Sequence, residues 1–330
     1  MPPQRSRRSR PERTTWTKEQ LVHRRAVLLG NALDKSTLSS YSSALNSYLN
    51  FCHRHELPVD PTPDTLSLYA AYETYYLTPK SVDNYLSGIS QQLEAQFPDI
   101  RMARSSPLVR RTLRGSFKMD SDLTRRKRAL TVDDLQLIMN HYQTSQHHDD
   151  LLFVAMLLTG FFGLMRLGEL TFPDSEALVN WRKVTRRASV NLSQDRYEFT
   201  LPYHKADHLF EGNKVIIKSF HPSIDPVPIF QRYLTSRDNR MALASPLWLT
   251  ASGNVPTRSF FIKRLRIFFD TDVAGQSMRA GGATLLAECG TAPQIIQGIG
   301  RWSSEAFKIY VRKNPVILQG MLYSRRFLPT

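Results

Sequence analysis

The sequence has little of what several common protein classes require. Its 330 residues include only two cysteines, Cys52 and Cys289, far apart in the chain. Two isolated cysteines exclude a disulfide framework and a four-cysteine zinc site, and they favour a reducing compartment. The longest apolar run, residues 151–165, is about 15 residues long, which is short of the ~20 that a membrane-spanning helix needs. We therefore expect no association with a membrane.

The usual signatures of cofactor and metal sites are missing too. There is no glycine-rich loop that would cradle a phosphate, no acidic cluster for paired metal ions and no internal repeat. The run His147-His148-Asp149-Asp150 contains metal-ligand residue types, but side chains at adjacent positions do not face one point. We interpret this run as a solvated loop, and we expect neither a cofactor nor a metal ion.

Negative charge is scarce relative to positive charge. The sequence has 29 acidic and 44 basic residues, which give a formal net charge of +15 and a pI near 10.0. This excess is larger than solubility requires, and it predicts a polyanionic partner whose binding depends strongly on salt. An anionic membrane surface is the competing partner, but residues 2–13 are polar and arginine-rich and lack the apolar core of a signal peptide. Nucleic acid is therefore the favoured partner.

The length of the chain predicts two domains, because a single core seldom grows past ~250–300 residues. We interpret residues 1–30 as a basic, disordered arm and residues 31–118 as a helical domain. Residues 119–130 form a highly charged linker. Thr131, followed by two aspartates, then fits a helix N-cap with acidic residues at the positive end of the helix, and it opens a second domain, residues 131–330.

Hydrophobic periodicity predicts four helices in the first domain. They cover residues 36–56 and 64–75, a segment that begins at Thr78-Pro79, and residues 107–117.

The end of this domain and the linker carry a dense set of cations, which we predict to bind DNA. The run at residues 125–128 also fits a nuclear-import signal. The predicted DNA-binding residues are Arg104, Arg110, Arg111, Arg114, Lys118, Arg125, Arg126, Lys127 and Arg128.

The second domain mixes helices and strands. Residues 190–201 and 214–219 alternate apolar and polar side chains, and residues 207–212 form the loop between them, which predicts a β-hairpin. Residues 314–323, with apolar positions at helical spacing, predict a small helix near the end of the chain. The expected fold class is mainly α with a small antiparallel β-sheet.

Three short motifs and one tyrosine follow one another in the second domain. Residues 163–170 read Gly-Leu-Met-Arg-Leu-Gly-Glu-Leu, residues 276–284 read Gln-Ser-Met-Arg-Ala-Gly-Gly-Ala-Thr, and residues 300–304 read Gly-Arg-Trp-Ser-Ser, ahead of Tyr310. With Lys205 between the first two motifs, this combination resembles the catalytic domain of the tyrosine recombinases, the phage-integrase type of DNA breaking and rejoining enzyme. The resemblance covers roughly residues 30 to 325.

The resemblance implies a role for each residue. Tyr310 is the nucleophile that forms a 3′-phosphotyrosyl link, while Arg166 and Arg279 hold the phosphate. Lys205, on the hairpin, is the general acid that protonates the departing 5′-oxygen. Glu169 completes the first motif. The resemblance also implies that the first domain is a core-binding domain that clamps double-stranded DNA.

Two positions depart from the pattern of the family. The usual His-x-x-Arg box has Gln276 three positions before Arg279, and glutamine cannot exchange a proton near neutral pH. The slot nine positions before the tyrosine, usually His or Trp, holds Arg301, with Trp302 next to it. We expect Arg301 by its charge, or Trp302 through its indole N–H, to contact the phosphate, and the spacing favours Arg301.

Taken one at a time, these residues have simpler interpretations. Arg166 could end the apolar helix of residues 151–165, where a cation favours the helix dipole. Lys205 could be a solvated hairpin lysine, Tyr310 a half-buried aromatic residue and Trp302 a core residue. The order and spacing of the whole set favour the catalytic interpretation.

Within the family, the second and third motifs look most like those of eukaryotic, especially fungal, recombinases of crypton-type mobile elements. This likeness implies integration or excision of a mobile element in the nucleus, by a homo-tetramer on two DNA sites with a dimer on each. The helix predicted at residues 314–323 would dock on a neighbouring protomer or on its own domain.

Two other functions are compatible with the sequence. The first is a transposon-derived, catalytically impaired DNA-binding protein, for which Gln276 and Arg301 are the motivating substitutions. The second is a relaxing topoisomerase of the same chemistry.

Overall fold

The computed structural model describes residues 15–30, 32–119, 127–202, 212–219 and 221–303, apart from the side chains of residues 26 and 30. Four residues of the predicted sites, Arg125, Arg126, Lys205 and Tyr310, lie outside the described residues, as does the helix predicted at residues 314–323. The chain divides into two compact units, Met1–Thr124 and Arg125–Thr330.

The described part of the first unit is built from helices. The sequence predicts four of them, with ends that differ by a few residues, but it does not predict α5, because six residues are too few to show a periodic pattern. The helices are α1 (Lys18–Gly30), α2 (Lys35–Arg54), α3 (Pro63–Tyr76), α4 (Pro79–Leu93), α5 (Ile100–Ser105) and α6 (Pro107–Met119).

Helix α1 departs from the expected disorder for residues 18–30 of the predicted arm, while residues 1–14 of that arm lie outside the described residues. Its first turn is capped by an exchange of hydrogen bonds, in which Thr17 N–H donates to Gln20 Oε1 at 2.9 Å and Gln20 N–H donates to Thr17 Oγ1 at 3.3 Å. The proline-rich and arginine-rich composition that favours disorder ends at Arg13, and no proline follows before Gly30. A capped segment of ordinary helix formers can therefore fold locally.

The core of the first unit lies between α2, α3 and α4. Thr62 and Thr78 cap α3 and α4 through their hydroxyl groups, and a proline occupies the first turn of each helix. Tyr48 on α2 is fully buried and meets Tyr69 on α3 edge to face, with ring centroids 5.4 Å apart. Tyr48 is therefore a packing residue of this core.

The second unit adds seven α-helices, three short 3-10 helices and three strands within its described residues. The α-helices are α7 (Val132–His141), α8 (His148–Phe162), α9 (Leu167–Leu170), α10 (Pro226–Met241), α11 (Arg258–Leu265), α12 (Gly275–Glu288) and α13 (Pro293–Gly300). The strands are β1 (Asn191–Leu192), β2 (Arg196–Leu201) and β3 (Asn213–Lys218).

The three strands form one antiparallel sheet in the order β1-β2-β3. Residues 190–201, expected to form a single strand, contain a tight turn in which Ser193 N–H donates to the Arg196 carbonyl at 2.8 Å. Phe199 pairs with Val215 across β2 and β3, and both side chains face the core. The expected fold class, mainly α with a small antiparallel sheet, is confirmed.

Helix α8 is the centre of the second unit. Its side chains are buried on every face, which explains why its sequence is apolar all round rather than amphipathic. In the part of the chain that the structure describes, no helix is both long and apolar enough to cross a membrane.

The start of α8 corrects a second expectation, because residues 147–150 open this helix instead of forming a solvated loop. The His148 ring is buried, and its two nitrogens lie 2.9 Å from Ser236 Oγ and from the Leu249 carbonyl oxygen. These contacts satisfy both polar atoms of the ring. Among the described residues, no group of three His, Cys, Asp or Glu side chains could hold a metal ion.

The end of the predicted linker is bound to the second unit. The N–H groups of Arg128 and Leu130 donate to the carbonyls of Asp272 and Ser277 at 2.9 and 3.1 Å. The Arg128 guanidinium bridges two carboxylates, those of Asp272 and Asp134. Partial burial tends to raise the pKa of Asp134, but hydrogen bonds from Arg128 and from the α7 N-terminus lower it below its ordinary value.

We predict that Asp134→Asn lowers the free energy of unfolding at pH 7 by about 1 kcal/mol or less, because Arg128 is partly exposed. A depressed carboxyl pKa stabilises the fold above the unfolded value of about 3.9, and this stabilisation is lost as the pH falls through the folded value. The difference between wild type and variant should therefore shrink between pH 5 and pH 3. Urea denaturation at each pH measures it, with Asp133→Asn as the matched control; a difference that does not change with pH contradicts the prediction.

Candidate active site

Helix α8 ends in a tight turn in which a leucine, Leu164, occupies the left-handed position that glycine usually takes. Leu164 has a left-handed backbone with φ of 48°. The N–H groups of Leu164 and Met165 donate to the carbonyls of Phe161 and Gly160 at 3.3 and 2.9 Å. Glycine usually completes this Schellman motif, because a side chain there is strained by about 1 kcal/mol or more. Burial of the leucine side chain offsets the strain, in a cluster with Ala283, Leu286, Ala287 and Ile296.

Helix α13 ends in the same motif. Arg301 has φ of 54°, and the N–H groups of Arg301 and Trp302 donate to the carbonyls of Gly298 and Gln297 at 3.0 and 3.3 Å. This turn directs the Arg301 side chain toward the end of α8, where its Nη2 lies 3.4 Å from the Leu164 carbonyl oxygen. Two strained helix ends therefore meet in the site.

The glycine pair of the second motif allows α12 to approach these turns. A Cβ on Gly282 would overlap the carbonyl oxygen of Phe161, and one on Gly281 would overlap the carbonyl oxygen of Leu130. Backbone oxygens cannot rotate away as a flexible side chain can. The pair therefore fixes the position of α12 and of Arg279, which lies on it.

Arg279 is held by contacts to both helix ends. Its Nη1 donates to the Leu164 carbonyl at 2.7 Å, and its Nη2 donates to the Gly300 carbonyl. Its guanidinium carbon lies 4.1 Å from the centroid of the Trp302 ring, within the range of a cation–π contact. Only 8% of Arg279 is exposed. The guanidinium is thus oriented before any ligand binds.

Glu169 is the acidic centre of the site. Its carboxylate accepts from Arg166 Nη1 at 2.9 Å, from the Arg166 N–H at 3.0 Å and from Arg301 Nη2 at 3.2 Å. The side chains of Glu169 and Arg301 are only 6% and 8% exposed, whereas that of Arg166 is 31% exposed. Burial lowers the pKa of the Arg301 guanidinium, and the Glu169 carboxylate opposes this effect.

The charges in this cluster do not balance. Among the described side chains of the site, Arg166 and Arg301 both pair with Glu169, and Arg279 donates to the Leu164 carbonyl that Arg301 also reaches, so three guanidinium groups accompany one carboxylate. Like charges held this close repel one another, so the arrangement gains stability from an added anion. An oxyanion with several acceptor atoms, such as a phosphate, fits arginine donors of fixed geometry.

The structure tests the simpler interpretation of Arg166. This residue lies four positions beyond the last residue of α8 and immediately before α9, so it does not end the apolar helix. Gln276 is exposed one helical turn before Arg279 on α12, and Trp302 is half-buried against Arg279. Arg166, Glu169, Arg279, Arg301 and Trp302 therefore come together, although they lie on different elements.

The Arg301 side chain contacts protein groups rather than facing solvent. Its Nη1 donates to the Ile299 carbonyl at 3.1 Å, and its Nη2 reaches Glu169 and the Leu164 carbonyl. Sequence spacing predicts a phosphate contact at this position. The observed contacts instead indicate that Arg301 orients Glu169, which in turn orients Arg166.

The predicted DNA-binding cations of the first unit lie mainly on α6. The side chains of Arg110, Arg111, Arg114 and Lys118 are exposed, and the spacing of four between residues 110, 114 and 118 places these three on one side of the helix. Arg104 is paired with Asp83 at 3.2 Å. In the second unit Lys127 is exposed, whereas Arg128 is engaged in the ion pairs described above.

Sequence reasoning misses the Leu164 carbonyl, which two arginines share. A backbone atom leaves no residue-type signal, and leucine rarely adopts a left-handed backbone. The adjacent glycines of the second motif were the available signal, because paired glycines inside a helix indicate a close backbone approach.

No protein-family model matches the chain, and no curated protein has a significant sequence match to it. Solved structures do match, at 15% sequence identity. The XerH site-specific recombinase bound to palindromic difH substrate has a TM-score of 0.59 and covers 86% of this chain and 78% of its own. The Tn1549 transposon integrase with transposon right end DNA has a TM-score of 0.56, and the match covers 94% of this chain and 99% of the integrase chain. A lambda integrase dimer bound to a COC′ core site has a TM-score of 0.54, and the match covers 88% of this chain and 93% of the integrase chain.

These similarities define the class of fold. The chain has the fold of the tyrosine recombinases and integrases, in which a helical unit is followed by a mixed unit with a small antiparallel sheet. At this level of identity the comparison supports the fold, while the argument for function depends on the residues of the site.

We predict that Gly282→Ala destabilises the second unit by about 3 kcal/mol or more, because the new methyl group meets the Phe161 carbonyl. The matched control is Gly298→Ala on α13, where a Cβ would meet nothing within 4 Å. Alanine favours a helix over glycine, so the control should be neutral or stabilising by up to about 1 kcal/mol. Thermal and urea denaturation of both variants check this; equal effects would refute the close approach.

We also predict that Arg301 and Glu169 are energetically coupled. Arg301→Met should lower the free energy of unfolding by about 3 kcal/mol, because it leaves a buried carboxylate with one partner fewer. In a Glu169→Gln background, Arg301→Met should lower the free energy of unfolding by at least about 1 kcal/mol less than it does in the wild type. A double-mutant cycle by urea denaturation gives the coupling energy, and additive effects would show that the ion pair contributes nothing to orienting Glu169.

Proposed function

We propose that the protein breaks and rejoins DNA at specific sites through a 3′-phosphotyrosyl intermediate. The observation that carries this proposal is the cluster of Arg166, Arg279 and Arg301 with the single carboxylate of Glu169, on the fold of the tyrosine recombinases. Such a cluster suits the pentacoordinate phosphorus of a phosphodiester under attack, because charge gathers on the two non-bridging oxygens. The donors are fixed by protein contacts before the substrate arrives, so little reorganisation is needed in the transition state.

In the proposed reaction the phenol oxygen of Tyr310 attacks the scissile phosphorus. The phenol proton passes to water, the bond between phosphorus and the 5′-oxygen breaks, and Lys205 donates the proton that turns this oxygen into a free hydroxyl. Rejoining reverses the step, because a 5′-hydroxyl from a second DNA end attacks the phosphotyrosyl link and releases the tyrosine. No bond energy is lost to water, so the reaction needs no nucleotide cofactor.

Several of the described residues would bind the phosphate or orient the groups that bind it. Arg166 and Arg279 stabilise the non-bridging oxygens, and Gln276, exposed one turn before Arg279, adds a neutral hydrogen-bond donor. Arg301 orients Glu169, and Trp302 stacks on the Arg279 guanidinium. Because neither Gln276 nor Arg301 exchanges a proton near neutral pH, protonation of the departing 5′-oxygen is left to Lys205 in this scheme.

The exposed basic face of α6 supports DNA binding by the first unit. Arg111, Arg114 and Lys118 lie on the side of the helix opposite the buried Val109, and Arg110 is also exposed, so these cations can reach phosphates without losing core contacts. Sequence-independent attraction of this kind positions a protein on DNA, whereas base contacts supply specificity.

The biological setting follows from the same motifs. The residues at 276–284 and 300–304 favour a recombinase of a crypton-type mobile element, which integrates or excises DNA in the nucleus. A tetramer on two sites, with a dimer on each, is the assembly that we infer. One of the solved structures of similar fold is a lambda integrase tetramer bound to a Holliday junction, with a TM-score of 0.52.

A second candidate function is a DNA-binding protein derived from a transposon that has lost turnover. The exposed glutamine at position 276 and the engagement of Arg301 with Glu169 are the observations that favour it. The continued presence of Arg166, Lys205, Arg279 and Tyr310 in the sequence argues for the enzyme, because relaxed selection would remove them as readily as a histidine.

The deciding experiment recovers covalent protein–DNA adducts from cells that express the wild type or Tyr310→Phe. We expect an adduct from the wild type and none from Tyr310→Phe, because the phenol oxygen forms the only link to phosphorus. Tyr75→Phe, which removes the hydroxyl of an exposed tyrosine in the first unit, is the matched control and should leave the adduct unchanged.

Sequencing the attached DNA ends separates the remaining possibilities. Ends that share one site indicate a recombinase, whereas scattered ends indicate a topoisomerase. Absence of any adduct from the wild type, with DNA binding intact, would replace the enzymatic proposal with the DNA-binding one.

A further inference from the structure

Gly300, the first residue of the third motif, ends α13 and is buried beside the arginine site. Its carbonyl oxygen accepts a hydrogen bond from Arg279 Nη2. Every amino acid offers a backbone carbonyl, so this hydrogen bond does not by itself require a glycine. The reason for a glycine at this position must therefore be the missing side chain or the shape of the backbone.

The shape of the backbone does not require a glycine at position 300. Among the described glycines, a left-handed backbone occurs at Gly212, Gly253 and Gly290, and Gly300 is not one of them. Gly300 belongs to an α-helix, where alanine is the better helix former. The missing side chain is therefore the feature to be explained.

The space that a side chain would need at position 300 is occupied by the Trp302 ring. A Cβ on Gly300 would overlap the ring carbons Cζ3 and Cε3 of Trp302. In the same helix, a Cβ on Gly298 would meet nothing within 4 Å. The indole therefore packs directly against the backbone of Gly300, and only a glycine permits this contact.

The backbone that carries the ring is anchored to α13. The Trp302 N–H donates to the Gln297 carbonyl at 3.3 Å, and the Trp302 carbonyl accepts from Gln297 Nε2 at 3.3 Å. A methyl group at position 300 would therefore displace the ring, which is the far end of a side chain, before it displaced the chain.

Displacement of the ring would affect Arg279. The guanidinium carbon of Arg279 lies 4.1 Å from the centroid of the Trp302 ring, and the attraction between a cation and a ring depends on their relative position. Gly300 therefore acts on this guanidinium in two ways. Its carbonyl accepts from Nη2, and its bare α-carbon leaves room for the ring that stacks on the guanidinium.

We propose that Gly300 is a positioning residue of the active site. The absence of a side chain lets Trp302 lie against Arg279, which orients the guanidinium toward the non-bridging oxygens of the scissile phosphate. A small misplacement of a group that acts in the transition state slows the chemical step more than it weakens binding. This inference rests on the proposed function, because it takes DNA cleavage as the reaction that Arg279 serves.

The test uses the full chain and a duplex whose sequence is recovered from the wild-type covalent adducts. The duplex is nicked beside the scissile phosphate, so that the short 5′-hydroxyl fragment diffuses away and rejoining cannot reverse cleavage. Gly300→Ala should lower the single-turnover rate of adduct formation at saturating duplex about tenfold or more. The Kd for the duplex should stay close to the wild-type value, because no charge is lost. The matched control, Gly298→Ala, should change neither quantity.

A second variant tests whether the effect passes through the ring. Trp302→Leu lacks the ring carbons that the new methyl group would meet, and it should itself slow adduct formation. In the Trp302→Leu background, Gly300→Ala should have little further effect, because both substitutions remove the same contact. An equal loss of rate in both backgrounds would overturn the inference.

The remaining outcomes separate this inference from the proposed function. A folded Gly300→Ala protein with the wild-type rate overturns the positioning role and leaves the proposed function standing. If Gly300→Ala does not fold, the double variant with Trp302→Leu should fold, because the space is restored, and its failure to fold overturns the inference. A wild-type protein that forms no adduct overturns both.

Discussion

The carbonyl of Leu164 is the constraint on which the site depends. Helix α8 is apolar on every face and must end inside the unit, which leaves a buried carbonyl oxygen beyond its last turn. An unpaired buried carbonyl costs as much as a lost hydrogen bond, so donors must be supplied from elsewhere. The donors are the guanidinium groups of Arg279 and Arg301, at 2.7 and 3.4 Å. The need to satisfy one backbone atom therefore ties α8, α12 and α13 together.

These hydrogen bonds explain how the fold accommodates several arginine side chains close together. Three guanidinium groups repel one another, and Glu169 offsets only part of that repulsion. Backbone carbonyls and the Trp302 ring supply the remaining stabilisation without cancelling net charge. A charge excess that the fold supports is what a phosphate ligand requires, so the stability of the site and its proposed chemistry have the same origin.

Arg301 has a different role in the site from the one that its spacing in the sequence predicts. Its left-handed backbone turns the side chain inward, where it binds Glu169 and the Leu164 carbonyl. A guanidinium stays protonated at any working pH, so this position supplies orientation rather than proton transfer. Together with an exposed glutamine at 276, this arrangement places the demand for acid catalysis on a single lysine in the proposed mechanism.

The sequence by itself determined the features that depend on local periodicity and residue type: four helices of the first unit, the sheet strands around Phe199 and Val215, and the grouping of the motif arginines. Capping, alternation and charge act over a few residues, so they can be seen without the fold. Only the tertiary structure decided the rest. It showed that α1 forms, that residues 147–150 open a buried helix, that Arg128 belongs to the second unit and that Arg301 faces Glu169. Each of these depends on a backbone turn or on a partner distant in sequence, and neither leaves a pattern in the order of residues.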